Sequence, residues 1–365
     1  MMRKLITLML AVVFSMGTLM ANETATTTEK EPLDGGSIII GHVSDAHSWH
    51  ILDYVDKAGT EHVVSVPLPI ILINDGHLDM FMSSRFQHGH ADYKGYRLVG
   101  GAGEKEEIVC VDAAGNLTGA KPLDFSITKT CMGIMAAVIM LIIFLMIARN
   151  GYKKRHNQAP KGVQSLVELL VVFVRDEISI PMIGAKKQER YLPYLLTLFF
   201  FIFFCNLLGL IPIFPAGANI TGNIAVTGTL AFITFVITNV SGNKHYWKDI
   251  FNTPGVPWWL KVFPLMPLVE VVGIFTKPIV LMIRLFANMT AGHIIVLGFV
   301  TLIFIISDSV GMVIGGAVAA PVSILFQVFM GALDCLVSYI QAYVFTVLTA
   351  MYIGMAVGEP EEVEA

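Results

Sequence analysis

One arginine inside a long apolar segment is the residue best suited to do chemistry. Arg284 lies in a stretch that runs with little interruption from about Pro264 to Ile306. An ionisable side chain at membrane depth costs roughly 2.5–3.5 kcal/mol on insertion scales. No acidic residue close in the sequence neutralises it. We therefore expect Arg284 to serve in moving ions, or in pairing with a charge that another element or another protein supplies.

Further polar side chains lie in the same segment at helical spacing. With about 3.6 residues per turn, Glu270 and Lys277 fall in one broad stripe with Arg284. Asn288, one turn beyond the arginine, extends that stripe. His293 falls on nearly the opposite face of the helix. The segment therefore presents a charged stripe on one side and a titratable imidazole on the other.

The last apolar segment carries a second set of polar residues. Asp334, Ser338 and Gln341 share one helical face because their offsets match the helical repeat. An antiparallel hairpin of the two segments would place Asp334 with His293 near the outer end. It would place Gln341 near Arg284 at mid-depth, and the two charged residues before the arginine toward the cytoplasm.

This arrangement is an incomplete chain of proton-exchanging groups with a fixed cation in its middle. Histidine and carboxylates relay protons, whereas arginine stays charged at physiological pH. A fixed positive charge repels a bare proton and attracts a passing carboxylate. Structural roles are the alternative: His293 can hydrogen-bond a neighbouring helix, Asp334 can be a buried neutral acid, and Glu270 with Lys277 can extend to the membrane surface.

The composition indicates a membrane protein. The chain has 365 residues, of which 55% are hydrophobic and only 14% charged, and its formal net charge is −4. A bilayer span takes about 20 apolar residues. The hydrophobic segments are Thr130–Ala148, Leu192–Phe214, Ile220–Val240, the segment that carries Arg284, and Ala319–Val357. The last two are long enough to lie strongly tilted.

The first 129 residues differ from the rest. Residues 1–21 have the pattern of a secretory signal, since basic residues precede a short apolar run, and an uncleaved anchor is the alternative. Residues 22–129 are polar and predict a small β-rich domain with alternating runs at Gly36–Val43, His62–Pro67 and Tyr96–Val99. Residues 358–365 form an acidic tail after the membrane domain, 130–357.

Histidines are frequent in the β-rich region, which raises the question of a metal site. Two groups stand close in sequence: Asp45, His47 and His50, and then His88, His90 and Asp92. Their spacing fits no known ligand pattern, so we predict ordinary surface and packing histidines and no metal site.

The basic residues predict the orientation in the membrane. Lysine and arginine collect in the loops after the first and third hydrophobic segments: Arg149, Lys153, Lys154, Arg155 and Lys161, and Lys244, Lys248 and Lys261. This places the β-rich domain outside and the carboxyl terminus in the cytoplasm. Between the first two spans, Gly162–Ile180 predicts a helix that lies on the membrane or packs against neighbouring spans.

At the polar residues the chain resembles subunit a of F-type ATP synthases. The resemblance rests on Lys277-Pro278, the run Ile283–Met289 and Ala291-Gly292, and on a second signature in Gln341–Phe345. It extends from about Thr130 to Val357. It implies an all-α polytopic membrane protein with about five membrane helices, to which this chain adds a β-rich extracytoplasmic domain.

The resemblance implies a stator channel beside a rotating ring of c subunits, held by a b-subunit peripheral stalk and linked to a soluble ATPase sector. Protons would reach a ring carboxylate through an outer half-channel and leave through an inner one. By similarity Arg284 would hold the deprotonated ring carboxylate, and Asn288 and Gln341 would line that interface. Glu270 and Lys277 would lie toward the inner path.

His293 and Asp334 would lie along the outer path. In many bacterial members a glutamate stands at the position of His293 and a histidine at that of Asp334. Here the pair is exchanged and still provides one imidazole and one carboxylate. The family implies residence in the bacterial inner membrane, with the β-rich domain in the periplasm.

Several features limit the alternatives. The chain has no phosphate-binding loop of the Walker type, so ATP chemistry is expected to reside on partners, and the chain is not expected to be an enzyme on its own. We also expect no cofactor and no nucleic-acid partner. A secondary transporter commonly shows internal repeats, which are not evident here. A sensor or assembly factor would not require the polar residues of the last two segments. Protons remain the favoured ion, with sodium as the alternative.

Overall fold

The structure is a computed structural model. It describes residues 35–55, 61–74, 76–89, 91–101, 104–112, 115–154, 160–211, 216–251, 265–310 and 312–358. The predicted signal segment, residues 1–21, lies outside the described residues, as does the predicted acidic tail after residue 358.

Helices dominate the described chain. They are α1 (Gly35–Val43), α2 (Lys129–Lys154), α3 (Val163–Phe173), α4 (Ile180–Ile183), α5 (Gln188–Gly209), α6 (Ile224–Val240), α7 (Lys244–Phe251), α8 (Leu265–Val310) and α9 (Met312–Val357). A π-helical segment, Val174–Ser179, joins α3 to α4.

Four helices, α2, α5, α8 and α9, are long and apolar enough to cross a membrane. The remaining predicted span, Ile220–Val240, folds as the shorter helix α6, which has 17 residues. Its start is set by Asn223, whose side chain accepts a hydrogen bond from the Ala225 amide at 3.0 Å. An asparagine in this position caps a helix, so α6 begins later than hydrophobicity alone predicts.

The long hairpin of α8 and α9 carries the predicted site. Each helix has 46 residues, and at about 1.5 Å per residue each is about 69 Å long. The bilayer core is only about 30 Å thick, so helices of this length must tilt or extend beyond it. Phe299 and Phe326 stack across the hairpin with ring centroids 5.0 Å apart.

The core of the membrane domain forms around α5. Its side chains Leu195, Phe199 and Ile202 are fully buried and contact the same cluster as Leu285 of α8 and Phe345 of α9. The predicted Gly162–Ile180 helix packs against neighbouring spans, one of its two expected roles. Leu166 and Leu169 on α3 are exposed, whereas Val174 and Ile178 of the π-helical segment that follows are buried in the core.

The amino-terminal region forms three small antiparallel sheets, with the orders β1-β2, β4-β3-β7 and β5-β6. The strands are β1 (Ser48–Val55), β2 (Glu61–Pro67), β3 (Pro69–Asn74), β4 (His77–Met82), β5 (Tyr96–Gly101), β6 (Glu104–Cys110) and β7 (Leu123–Asp124). A 3₁₀ helix spans Ser83–Gly89. The β-rich expectation is confirmed, including strands at His62–Pro67 and Tyr96–Val99.

One predicted strand is wrong. The run Gly36–Val43 folds as part of α1 and packs against α8. Alternating apolar residues suggested a strand. Beside an apolar helix, however, this segment satisfies its backbone hydrogen bonds by forming a helix of its own. An element of the amino-terminal region thus reaches the helix that carries Arg284.

Candidate functional site

An amide pair joins the two long helices at the centre of the site. Asn288 Nδ2 of α8 donates a hydrogen bond to Gln341 Oε1 of α9 at 2.7 Å. Gln341 is buried, and its own amide nitrogen has no hydrogen-bond partner. The pair therefore fixes the register of the hairpin and leaves one buried donor for a further acceptor.

Arg284 lies one turn before Asn288 on the exposed side of α8. Leu281, Leu285 and Met289 form the opposite, buried side of the same turns. Among the described residues, none forms a hydrogen bond or an ion pair with the Arg284 guanidinium. A guanidinium has five donors and a permanent charge, so this position is built for an acceptor that the chain itself does not provide.

The inner part of the hairpin has its own polar environment around Lys277. The Lys277 ammonium lies over the Tyr352 ring of α9, 5.4 Å from its centroid. Both residues line a cavity of about 20 Å³ together with Thr238 and Asn239 of α6. Thr238 Oγ1 and Asn239 Oδ1 are buried there without a hydrogen-bond partner. A cavity of this size with such groups suits an ordered water molecule.

Glu270 lies at the inner start of α8, where it is half-buried. Its carboxylate is within electrostatic range of both Lys277 and Tyr246 of α7. Burial and, secondarily, the Glu270 carboxylate raise the pKa of Tyr246. An acid, an ammonium and a small cavity that holds two unpaired polar atoms therefore occur together toward the predicted cytoplasmic side.

Asp334 and His293 lie on different sides of the α8 backbone at Gly292, in the predicted outer part of the hairpin. A Cβ built on Gly292 would lie only 3.0 Å from Asp334 Oδ1, so the carboxylate sits directly on the α8 backbone. His293 points to the other side. A Cβ on Gly209 of α5 would lie 3.3 Å from His293 Nε2, and that nitrogen is buried without a partner.

A buried asparagine on α5 stabilises the turn of α9 that carries Asp334. Asn206 of α5 accepts a hydrogen bond from Thr221 Oγ1 at 2.7 Å and donates one to the Ser338 carbonyl at 3.4 Å. The Ser338 hydroxyl donates to the Asp334 carbonyl at 2.7 Å. These contacts hold the turn of α9 that presents the Asp334 carboxylate.

The structure brings most of the predicted site residues into the predicted pairings. Asn288 meets Gln341, Lys277 and Glu270 share the inner end, and Asp334 lies beside the residue that precedes His293. His293 and Asp334 form no direct hydrogen bond, although both side chains are described.

Sequence reasoning missed two contributors to the site. Tyr352 contacts Lys277, and it lies three helical turns after Gln341 on the same face of α9, a spacing that could have revealed it. Gly209 provides the space for His293, and no pattern within the sequence of α5 indicates that role.

Large apolar side chains remain exposed on both long helices. On α8 they include Val280, Ile283 and Ile295, on the side that also carries Arg284. On α9 they include Leu325, Val328 and Leu336. Lipid or a partner protein must cover such surfaces. Gly273, Gly298 and Gly331 have open space where a side chain would be, which allows a partner helix to approach closely.

His47 and Asp92, two of the six candidate metal-binding residues of the amino-terminal region, are engaged in other contacts. His47 Nε2 lies 2.8 Å from Asp124 Oδ2, and Asp92 pairs with Arg97 at 2.5 Å. Within the described part of the chain, no group of three histidine, cysteine or acidic side chains is arranged to hold a metal ion. His90 and the side chains of His50 and His88 lie outside the described set.

Comparison with known proteins assigns the membrane helices to a family. The profile of the family described as ATP synthase A chain matches residues 130–354. A second profile, a domain of unknown function, matches residues 38–125.

Curated relatives match the membrane domain. ATP synthase subunit a 2 of Chlorobaculum tepidum is 46% identical over 241 residues, which cover 64% of this chain and 64% of the relative. ATP synthase subunit a of Chloroherpeton thalassium is 43% identical over 246 residues, covering 65% and 68%. That of Myxococcus xanthus is 44% identical over 241 residues, covering 64% and 74%. The match thus spans slightly less than two thirds of the first relative.

Proposed function

Because the chain belongs to the ATP synthase A chain family, we propose that it is the proton-translocating stator subunit of the membrane sector of an F-type ATP synthase. In this role it provides two half-channels to a carboxylate on the c ring and couples proton flow to ring rotation and ATP synthesis. It is not an enzyme on its own, since ATP chemistry would take place on the soluble sector.

The observation that carries the proposal is the uncompensated charge of Arg284. The guanidinium lies on an exposed, largely apolar side of α8 and has no acidic partner among the described residues. At 4 Å and an effective dielectric constant of about 20, a carboxylate would gain about 4 kcal/mol from it. A deprotonated ring carboxylate that arrives at this surface is the acceptor that fits.

Two groups of polar residues lie on either side of this charge. His293 is nine residues beyond Arg284, about 14 Å along the helix, and Lys277 is about 10 Å in the other direction. The outer group, His293 with Asp334, would deliver protons to the ring. The inner group, Glu270 and Lys277, would receive them, with the small cavity beside Lys277 as a place for water.

Arg284 would separate the two paths. A proton that crossed directly from the outer to the inner group would have to pass a fixed positive charge, which repels it. A proton carried on a neutral ring carboxylate avoids that barrier by moving around the ring. Each charge that crosses the membrane this way releases about 2.3 kcal/mol per 100 mV of membrane potential.

The exposed sides of α8 and α9 are the surface on which we place the c ring. Asn288 and Gln341 would lie at this interface, with Asn288 exposed toward the ring and Gln341 buried behind it through their hydrogen bond. The other partners proposed for this chain are a b-subunit peripheral stalk, the soluble sector through that stalk, and membrane lipid.

The proposed location is the bacterial inner membrane. A signal at residues 1–21 would export the β-rich domain, residues 22–129, to the periplasm. The membrane domain would span residues 130–357, and the acidic tail, residues 358–365, would lie in the cytoplasm. The lysines of α7 and the basic end of α2 support this orientation.

The experiment that tests the function is ATP-driven acidification of inverted membrane vesicles that carry Arg284→Ala. Loss of the charge-pair energy predicts a fall of about three orders of magnitude, to background. Arg97→Ala, which removes an arginine of the amino-terminal domain, serves as the control and should pump normally. Normal pumping by an assembled Arg284→Ala complex would contradict the proposal.

The same vesicles separate protons from sodium. With protons as the transported ion, acidification continues without sodium and stops when a protonophore is added. The alternative, a sodium-translocating subunit, requires ATP-driven sodium uptake that a protonophore does not abolish. His293 favours protons, because imidazole titrates near neutral pH whereas sodium prefers oxygen ligands.

A further inference from the structure

We propose that the amino-terminal domain forms the outer mouth of the proton uptake path, and that it positions Lys129 as a fixed positive charge that controls proton uptake at His293. This inference rests on the proposed function of the membrane domain. It assigns a role to the region that matches only a domain of unknown function.

The first observation is that the domain is packed on the membrane helices. Trp49 of β1 is only 5% exposed and lies in one apolar cluster with Ala137 of α2, Leu208 of α5 and Ala218. In addition, α1 packs against α8. Burial of the indole, together with the packing of α1 on α8, fixes the domain at the predicted outer end of α2 and α5.

The second observation is a hydrogen-bonded junction at the start of α2. The Lys129 amide donates to the Ala46 carbonyl at 2.9 Å, and the Thr130 amide donates to Asp45 Oδ1 at 3.0 Å. Asp45 therefore satisfies a free amide at the beginning of a membrane-spanning helix, as a capping residue does. The amino-terminal domain completes this helix end.

The third observation concerns the Lys129 ammonium itself. It donates to the His42 carbonyl at 2.9 Å and lies 6.0 Å from the centroid of the Trp49 ring. Asp45 and Glu106 are within electrostatic range of it. Backbone, aromatic and acidic groups of the amino-terminal domain thus determine where this charge sits.

The fourth observation connects the charge to the uptake group. Lys129 lies within electrostatic range of His293. A Cβ built on Gly209 would lie 3.3 Å from His293 Nε2 and 3.4 Å from the Ala218 carbonyl oxygen. Ala218 and Leu208, the residue before Gly209, both belong to the apolar cluster that contains Trp49. A continuous packed path therefore leads from Trp49 to the imidazole.

The charged groups around the uptake site define the expected effect. Lys129, at the start of α2, is within electrostatic range of His293. Asp334 of α9 lies against the α8 backbone at Gly292, the residue before His293. Lys129 in turn faces Asp45 and Glu106. Beyond them, His47 pairs with both Glu106 and Asp124. A positive charge beside His293 opposes a second one, so Lys129 should limit how readily the imidazole accepts a proton.

The test is passive proton conduction through membranes stripped of the soluble sector, over a series of outer pH values. Lys129→Gln should move half-maximal conduction to higher outer pH by about one unit. Glu106→Gln removes a negative charge near Lys129. The positive charge is then less compensated, so half-maximal conduction should move to lower outer pH. A purely structural weakening of the junction would move both variants in the same direction.

Two controls complete the design. Lys129→Arg keeps the charge and should restore the wild-type midpoint, and Lys94→Gln removes an exposed charge of the same domain that pairs with Asp79. An assembled complex whose midpoint is unchanged in both Lys129→Gln and Glu106→Gln would overturn the inference. Wild-type membranes that conduct no protons, or normal pumping by Arg284→Ala, would instead count against the proposed function.

Discussion

The chain contains two charged regions that are built in opposite ways. At the base of the amino-terminal domain, His47 is buried between Asp124 and Glu106, with its Nε2 atom 2.8 Å from Asp124 Oδ2. On α8, Arg284 is exposed and has no acidic partner among the described residues. A charge whose partners lie within the chain stabilises the fold. A charge without one remains available for a partner that arrives and leaves.

The largest loss of pumping in this set is expected when Arg284 receives an acidic partner within its own helix. Asn288→Asp places a carboxylate four residues after the arginine, where side chains of one helix meet. The new pair would compete with the ring carboxylate for the guanidinium. We expect ATP-driven pumping to fall by about two orders of magnitude. Asn288→Ser, which loses the Gln341 contact without adding a charge, should lose far less. Equal pumping by the two variants would contradict this account.

The next largest loss of pumping is expected from substitutions of His293 and Asp334. His293→Gln and Asp334→Asn each remove one proton-exchanging group, and each should reduce pumping by about tenfold or more. Exchanging the two, with His293→Glu and Asp334→His in one chain, should recover part of the activity because one imidazole and one carboxylate are restored. Acidification of inverted vesicles measures all three. Wild-type rates in both single variants would show that neither group relays protons.

A smaller effect should follow from crowding His293. Gly209→Ala adds a Cβ 3.3 Å from His293 Nε2, tighter than most such contacts, so the ring must shift. We expect about a threefold loss of pumping, since the imidazole stays in place but is displaced by a fraction of an ångström. Gly228→Ala in α6 is the matched control, because a Cβ there makes only an ordinary contact, 3.4 Å from Met282 Sδ. Equal loss in both variants would indicate a general effect on the helices.

How much of this the sequence could predict depends on the distance over which each contact forms. Helical periodicity places Arg284 with Asn288, and the hairpin then brings Gln341 to them, because these relations follow from the repeat of one helix and one turn. The fold class follows from hydrophobic segment lengths in the same way.

Contacts between distant segments could not be predicted. The His47 amide donates to Glu106, 59 residues away, and the His47 ring hydrogen-bonds Asp124, 77 residues away. The Lys129 ammonium donates to the His42 carbonyl, 87 residues away. No local pattern encodes such pairings. The same limit explains the error at Gly36–Val43, where packing on α8 decides the conformation.

Substitutions among His47, Asp124 and Glu106 should have the smallest effect on pumping and the clearest effect on stability. Burial alone would lower the pKa of His47, but hydrogen bonds to Asp124 and Glu106 outweigh it and raise the pKa to about 9 from 6.5. For Asp124, burial is outweighed by the hydrogen bonds from His47 and Ser126, which lower its pKa to about 2 from 3.8.

The sign of the pH dependence follows from these two pKa values. The His47 contribution to stability is complete below about pH 6.5 and is lost as the pH rises through about 9. The Asp124 contribution is complete above about pH 3.8 and is lost as the pH falls through about 2. Hydrogen exchange of β3 and β7 in the assembled complex, at increasing urea, should therefore show protection that declines from pH 6.5 toward 9.

His47→Gln should abolish that decline, because glutamine does not titrate, and should cost about 2 kcal/mol of domain stability, since Asp124 loses its charged partner and is only partly solvated. Asp92→Asn is the control, because its carboxylate pairs with Arg97 at the surface, and it should keep the wild-type pH dependence. If His47→Gln keeps the decline as well, the pair is not what ties domain stability to pH. The contrast with Arg284 would then rest on exposure alone, and not on whether the chain supplies the partner.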